Sequence, residues 1–131
     1  MLLKHWVWFG GMLCGLLSCS TGVNRRSVST ERFLTIRSTM SPEQSVTGQN
    51  TMFLTLRSKD GTPFEDAKIQ VIPDMPQHGH GSSEQSIVTP MGDGEYKVFP
   101  VTFQMPGAWQ IRIQVNVQGK VQQEVFSVDV Q

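Results

Sequence analysis

The sequence predicts an all-β fold: a single immunoglobulin-like antiparallel β-sandwich of about seven strands, preceded by a signal peptide and a flexible tether. Three observations predict it. Apolar residues beyond position 31 recur with a period of two, no stretch repeats with a helical period, and turn-forming residues separate the apolar runs. A chain of 131 residues has room for one domain with one core.

The N-terminal segment predicts export from the cytoplasm. One positive charge, on Lys4, precedes an uninterrupted run of apolar and small residues over positions 6–17. A helix needs about 20 residues to cross the ~30 Å core of a bilayer, so this run is too short to span a membrane. A basic start followed by a short apolar run is typical of a secretory signal peptide, which we assign to residues 1–18.

Residues 16–19, Leu-Leu-Ser-Cys, resemble the lipobox of bacterial lipoproteins, in which the cysteine is acylated and becomes the new N-terminus. Cleavage there would remove Cys14, leave Cys19 as the lipid carrier and leave the folded domain without a thiol, which suits an oxidising compartment. The alternative is an ordinary signal peptide with a chance cysteine. Residues 19–30, rich in Ser, Thr, Arg and Asn, then form a lipidated and flexible tether, and the domain occupies residues 31–131.

The predicted location is the cell envelope, with the domain anchored through Cys19 and facing the periplasm. Ser20 follows the lipidated position, where a residue other than Asp resembles an outer-membrane sorting signal in diderm bacteria. The outer membrane is therefore favoured if the organism has one.

Seven strands are expected within the domain. The clearest alternation covers residues 111–118, where Ile and Val at odd positions alternate with Arg, Gln and Asn at even positions. The strands are expected near residues 33–38, 50–58, 67–73, 85–89, 95–103, 108–117 and 120–130. Trp109 is expected to close one end of the core.

Two of these strands change the phase of their alternation, which predicts a β-bulge in each. In the strand at 95–103 the change lies around Pro100, and a proline also favours an edge position in a sheet. In the strand at 120–130 the apolar positions change from Val121 to the even-numbered Phe126 and Val128.

Charge and motif content exclude some functions. Eleven basic residues balance eleven acidic residues, so nothing favours nucleic acid as a partner. A nucleophile elbow, a second chemical cluster and an oxyanion site are all missing from the sequence, so we do not expect an enzyme.

The segment at 73–81 is chemically unusual because it places His78 and His80 two positions apart, with a glycine between them. In an extended segment both imidazoles would face the same way. Met75 adds a thioether, and imidazole with thioether suits copper, Cu(I) in particular. Zinc remains open through the histidines, although neither a thiolate nor a spaced set of carboxylates accompanies them.

Strand order predicts which methionines lie near these histidines. In an antiparallel sandwich, alternate connections lie at the same end, so Met105 and Met40 should share the end that carries His78 and His80, and Met91 should lie at the other. The candidate metal ligands are therefore His78, His80, Met75 and Met105. The competing interpretation is a chance His-Gly-His in a surface loop, with methionines that pack rather than ligate.

Four blocks between residues 62 and 117 follow a specific order, at 62–69, 74–80, 94–97 and 103–111. Their distinctive pieces are Met-Pro before two histidines, Gly-x-Tyr, and Met-Pro-Gly-x-Trp. In order and spacing they resemble the YtkA-like domain, a family related to the FixH proteins. The resemblance implies an immunoglobulin-like sandwich outside a bacterial membrane, with some relatives near copper handling or cytochrome oxidase assembly. Many members have Met-Pro-Met-x-His in this loop, and Gln77 here replaces the second methionine.

The sequence is compatible with two functions. The first is a membrane-anchored extracytoplasmic accessory protein that binds copper at its Met/His loop and either buffers the ion or passes it to a copper-requiring or other envelope protein. The second is an envelope interaction module without a metal, serving as an assembly factor for a membrane complex. Four glutamines, expected on outer strand faces, would give it an uncharged polar docking surface: Gln110, Gln114, Gln118 and Gln122.

Overall fold

The computed structural model describes residues 32–131. The predicted signal peptide, Cys19 and the predicted tether lie outside the described residues. Across residues 32–131, no helix has the length and apolar content needed to cross a membrane.

All seven predicted strands are confirmed, with ends that differ by a few residues from those expected. An eighth strand of two residues lies in the histidine segment, one residue after a 3-10 helix at Pro76–His78. The strands are β1 (Leu34–Ser41), β2 (Gly48–Ser58), β3 (Lys68–Met75), β4 (His80–Gly81), β5 (Ile87–Gly92), β6 (Glu95–Phe103), β7 (Gly107–Val117) and β8 (Lys120–Val130).

The strands form two four-stranded sheets. The first has the order β1-β2-β6-β5 and the second the order β4-β3-β7-β8. Every pairing is antiparallel. This division of the strands is that of an immunoglobulin-like sandwich with one short strand added at the edge of the second sheet, so the predicted fold class is confirmed.

The core forms because each inner strand turns one face toward the other sheet. In β7 every odd-numbered residue from Trp109 to Val117 is buried, while the even-numbered residues between them are exposed or partly exposed. In β2 the even-numbered apolar residues Met52, Leu54 and Leu56 are buried in the same way. A period of two in sequence therefore becomes one apolar face per sheet.

The predicted bulge in β6 is confirmed, but the predicted edge position of Pro100 is wrong. β6 lies inside the first sheet, between β2 and β5. Asn50 pairs with Val101 whereas Met52 pairs with Val98, so β6 carries one extra residue between these two pairs. The bulge interrupts the ladder at Pro100, which has no N–H to donate, and this allows a proline in an inner strand.

The predicted bulge in β8 is wrong. The β7–β8 ladder runs without a register shift from the pair Gly107–Val130 to the pair Val117–Lys120. The even-numbered residues of β8 face inward along the whole strand, and Val121 is 46% exposed. The apparent change of phase arises because a polar residue, Gln122, occupies an inward position.

Gln122 also does not lie on the outer polar face that the sequence predicted. Its side chain is fully buried. Its amide oxygen accepts hydrogen bonds from the backbone N–H groups of Phe33 and Leu34, at 3.0 and 2.9 Å. Backbone groups at the start of β1 and just before it satisfy the buried amide, so a polar group can occupy a core position.

The sandwich has two distinct ends. At the entry pole, the described chain leads into β1 and the β2–β3, β5–β6 and β7–β8 connections turn. At the distal pole lie the connecting segments 42–47, 76–86 and 104–106. The histidine segment therefore shares the distal pole with the turn that contains Met105, as strand order predicted.

Candidate metal-binding hairpin

Strands β3 and β4 form a tight hairpin that carries both histidines. Met75 pairs with His80 across the hairpin, and the 3-10 helix Pro76–His78 and Gly79 connect them. Pro76 occupies the start of the 3-10 helix, where an N–H is not needed. Gly79 has a φ of 67° and donates its N–H to the Met75 carbonyl at 3.1 Å, closing the turn in a conformation that favours glycine.

The two imidazoles come together, although not in the predicted way. The sequence analysis assumed an extended segment, whereas His78 lies in a 3-10 helix and the left-handed Gly79 separates it from β4. The turn brings the ring centres of His78 and His80 to 5.9 Å, with an interplanar angle of 49°. Both histidines are exposed. The hairpin thus presents two neighbouring imidazoles to solvent, one at the end of the connection and one on β4.

His80 on β4, Met75 on β3 and Trp109 on β7 follow one another across the inner face of the second sheet. Directly paired residues of antiparallel strands share a face, so the His80 side chain lies on the same face as that of Met75. The β3–β7 ladder ends with the pair Asp74–Gln110, and Met75 and Trp109 are the residues that follow. The ring of His80 meets that of Trp109 edge-on, at 5.9 Å and 71°. We call His80, Met75 and Trp109 the end row.

Trp109 closes the distal end of the core, as predicted. It is 1% exposed, and its ring centre lies 5.2 Å from that of Phe103. The indole N–H donates a hydrogen bond to the backbone carbonyl of Met105 at 3.0 Å, so the polar part of the buried ring is satisfied. This bond also fixes the β6–β7 turn against the end row.

Met75 is almost entirely enclosed. It is 2% exposed and belongs to the hydrophobic core. A Cβ atom at Gly107 would lie 2.7 Å from the Met75 terminal methyl, so glycine at this position leaves room for the end of the Met75 side chain. Met75 therefore contributes packing, and its pairing with His80 places it on the inner side of the two imidazoles.

The other methionines divide between the two poles. Met105 lies in the β6–β7 turn at the distal pole and is 36% exposed. Met40 lies inside β1, not in a loop as predicted, because β1 extends to Ser41, and it packs against the core. Met91 lies near the end of β5 at the entry pole and is 56% exposed, so its exclusion from the candidate ligands agrees with the fold.

The distal pole carries few charged side chains. Its three connecting segments contain two carboxylates, Glu43 and Glu84, and neither lysine nor arginine. Glu84 accepts hydrogen bonds from Gln49 and Thr102, which hold the segment after β4 against the first sheet. Among residues 32–131 there is no group of three or more His, Cys, Asp or Glu side chains placed to hold a metal ion. A metal here would need the thioethers in addition to the histidines.

The spacing of the imidazoles fits a shared ion. A ligating imidazole nitrogen lies about 2.0–2.1 Å from a metal and about 1.1 Å from its own ring centre, so two rings on one ion have centres roughly 5–6.5 Å apart. The 5.9 Å between His78 and His80 falls within this range. The exposed donors are two imidazole nitrogens, and the residue paired with His80, Met75, carries a buried thioether. Imidazole and thioether suit a soft ion with few ligands better than a hard cation.

A family model for YtkA-like proteins matches residues 34–114, more than half of the chain. The chain belongs to the YtkA-like family. The matched region begins with β1, ends within β7 and includes the whole histidine hairpin, the β6–β7 turn and Trp109. The YtkA-like domain of this chain therefore contains every candidate ligand.

Comparison with solved structures supports the fold of this YtkA-like domain. The filamin domain of Lin-41 is similar with a TM-score of 0.50 and 17% sequence identity, covering 72% of this chain and 91% of that one. At this identity the likeness concerns the fold alone. No curated protein matches the chain.

Two features of the site were not predictable from the sequence. Trp109 was expected at the end of the core, but its contact with His80 depends on the register between β3 and β7. Strand β4 is too short to show an alternation. The signal that was available is the single glycine on each side of His80, since glycines at 79 and 81 allow a tight turn into a short strand.

Proposed function

We propose that this YtkA-like domain binds one copper ion as cargo, between His78 and His80, and serves as a metal-handling accessory protein. The observation that carries the proposal is the convergence of the two imidazoles, 5.9 Å apart, at the end of a packed core. Met75 and Met105 are the soft donors available at the same pole. Imidazole and thioether together favour Cu(I).

The charge distribution of the distal pole supports the binding of a cation. Glu43 and Glu84 lie in its connecting segments, and no lysine or arginine of these segments opposes the approach of a positive ion. The described part of the chain contains no cysteine, so a zinc site with thiolate ligands is not available in the sandwich. Copper is therefore the metal that we propose.

We further propose that the domain works outside the cytoplasm. A lipobox-like segment ending at Cys19 supports attachment to a membrane of the cell envelope through a lipid, facing the periplasm and, in a diderm, on the outer membrane. The partner would be a copper-requiring or other envelope protein. The role is binding and transfer of the ion and not catalysis, which agrees with a site made of two imidazoles and thioethers alone.

A titration with Cu(I) in the presence of a competing chelator tests the proposal. The full chain would carry Cys14→Ser and Cys19→Ser, because free thiols bind Cu(I) themselves. We expect one equivalent of copper to bind to this parent and to be lost from the His78→Ala/His80→Ala double variant. His5→Ala is the matched control, since it removes a histidine outside the hairpin, and it should leave binding unchanged.

Equal copper binding by the parent and the double variant would overturn the proposed site. Binding should also weaken at acidic pH, because a protonated imidazole has no lone pair for a metal. A copper affinity that stays constant as the pH falls would show that the histidines are not ligands.

A second candidate function, an interaction module, is favoured by one observation. Ile87 and Phe99 are paired on neighbouring strands of the first sheet, and they are 68% and 44% exposed. Phe53, 38% exposed, lies on the same outer face. This apolar patch differs from the predicted glutamine surface and lies on the other sheet. A deletion strain separates the two functions, because only metal handling predicts a growth defect that depends on copper supply.

A further inference from the structure

The structure holds the two histidines in different ways. His80 belongs to β4, is paired with Met75 through the backbone ladder and meets the buried Trp109 edge-on. His78 ends the 3-10 helix, and within residues 32–131 its ring contacts one other ring, that of His80. The core therefore restrains one imidazole, whereas only a short turn restrains the other.

We propose that His80 is the anchoring ligand of the copper site and His78 is the exchangeable ligand through which the ion leaves. This inference rests on the proposed copper function and assigns separate roles to the two ligands. A side chain held by a strand pairing and by a contact with a buried ring keeps its geometry while the ion changes partners, so His80 retains copper until the acceptor has taken it. A side chain on an exposed turn can rotate away at little energetic cost.

The exchange is a ligand substitution without a change in oxidation state. A sulfur atom of the acceptor forms a bond to Cu(I), and the bond between Cu(I) and the His78 imidazole breaks. If the sulfur is a thiol, its proton passes to the buffer as the thiolate binds the metal. A second sulfur of the acceptor then replaces His80, and both histidines return to their metal-free form.

The geometry also indicates the kind of acceptor. Met75 and Trp109 are buried and both imidazoles are exposed, so an incoming ligand reaches the ion from the solvent. The acceptor must therefore place its soft ligands where the exposed end of this hairpin can reach them. Thiolate or thioether groups meet the requirement, because they compete with imidazole for Cu(I).

Fluorescence of Trp109 can report which histidine stays with the ion. The other two tryptophans of the chain, Trp6 and Trp8, would be replaced by Phe in the cysteine-free background. Copper held by His80 lies beside the indole and should quench its emission. We expect His78→Ala to bind copper with an affinity roughly tenfold to hundredfold lower and to keep the quenching. We expect His80→Ala to lose the quenching.

Transfer kinetics test the role of His78 directly. Dithiothreitol, a small dithiol, serves as the acceptor, and the recovery of Trp109 emission measures the departure of the ion. We expect the transfer rate to rise linearly with dithiothreitol concentration, with a rate constant about tenfold higher in His78→Ala than in the parent, since the first ligand to be displaced is already missing. His5→Ala should transfer at the parent rate.

The outcomes separate this inference from the function on which it rests. If the parent binds no copper, the proposed function fails. If the parent binds copper but both single variants lose quenching equally, or His78→Ala transfers no faster than the parent, the division of roles is wrong and the copper site stands. Retained quenching together with faster transfer in His78→Ala alone would support both.

Discussion

The side-chain amide of Gln122 in β8 binds both backbone groups of Leu34 in β1. Its oxygen accepts the Leu34 N–H at 2.9 Å, and its nitrogen donates to the Leu34 carbonyl at 3.0 Å. β1 and β8 belong to different sheets, so the amide acts across the sandwich where the two sheets meet at the entry pole. A buried polar side chain thus links strands of different sheets by hydrogen bonds, as the backbone ladders link neighbouring strands within each sheet.

Replacing Gln122 with Leu should destabilise the domain by about 2–4 kcal/mol, because it leaves buried backbone groups of β1 without partners. Urea denaturation measures the change in the free energy of unfolding. Gln123→Leu is the matched control, since Gln123 is exposed on the opposite face of the same strand. Similar losses in the two variants would show that the hydrogen bonds of Gln122 do not contribute.

Replacing Gly107 with Ala should displace Met75. Gly107 has a φ of 127°, and an added Cβ would lie 2.7 Å from the flexible end of the Met75 side chain. We expect a loss of about 1–2 kcal/mol from the backbone conformation and a shift of the Met75 methyl resonance in NMR spectra. Gly119→Ala, with a φ of 84° and open space around it, should show a similar loss without the methyl shift. An unchanged Met75 resonance in Gly107→Ala would contradict the close approach.

Replacing Met75 with Leu separates packing from metal binding. The two side chains have similar volumes, so the free energy of unfolding should fall by less than about 1.5 kcal/mol. If the thioether is a ligand, the same variant should bind Cu(I) at least about tenfold more weakly. Met52→Leu removes another buried methionine, on β2, and should leave copper affinity unchanged. Equal affinities for Met75→Leu and the parent would assign Met75 to packing alone.

The burial of Tyr96 should make the domain less stable at alkaline pH. Burial raises the pKa of the Tyr96 phenol above 10, and the carboxylates of Asp66 and Glu65 raise it further, against a hydrogen bond from the Ala67 backbone that lowers it. Because the folded-state pKa exceeds the unfolded value of about 10, folding favours the protonated phenol. This stabilisation is complete below pH 10 and is lost as the pH rises through the folded-state pKa.

The single tyrosine of the chain makes the measurement direct. Tyrosinate absorbance should titrate with a midpoint above 10 in the folded protein and near 10 in urea. In Tyr96→Phe, the free energy of unfolding should lose this alkaline dependence. The phenol donates a hydrogen bond to the Phe64 carbonyl at 2.8 Å. A midpoint at 10 in the folded state would contradict the burial of this group.

The strands were predictable because burial on one face imposes a period of two on the sequence. β7 shows the relationship most clearly, since its apolar residues are those that face the core. Gln122 shows where such reasoning fails, because a polar residue at an inward position looks like a shift of phase. Only the three-dimensional structure shows that Leu34, 88 positions away in sequence, supplies its hydrogen-bonding partner.

The candidate site was predictable in composition but not in shape. Strand order alone was sufficient to place Met105 at the pole of the histidines. The turn at Gly79 and the contact between His80 and Trp109 depend on backbone angles and on register, which residue types do not determine. At Pro100 the predicted bulge is present, but the predicted edge position is wrong because β6 lies between β2 and β5.

The separation of the two poles determines where the domain can be held. β7 alone, with 11 residues, extends about 35 Å between them. A label or solid support attached before Leu34 would lie at the entry pole, remote from His78. One attached after Gln131 would lie next to Ser45, at the pole of the histidines. Immobilisation through the first attachment point leaves the hairpin accessible to another protein, whereas immobilisation through the second restricts access to it.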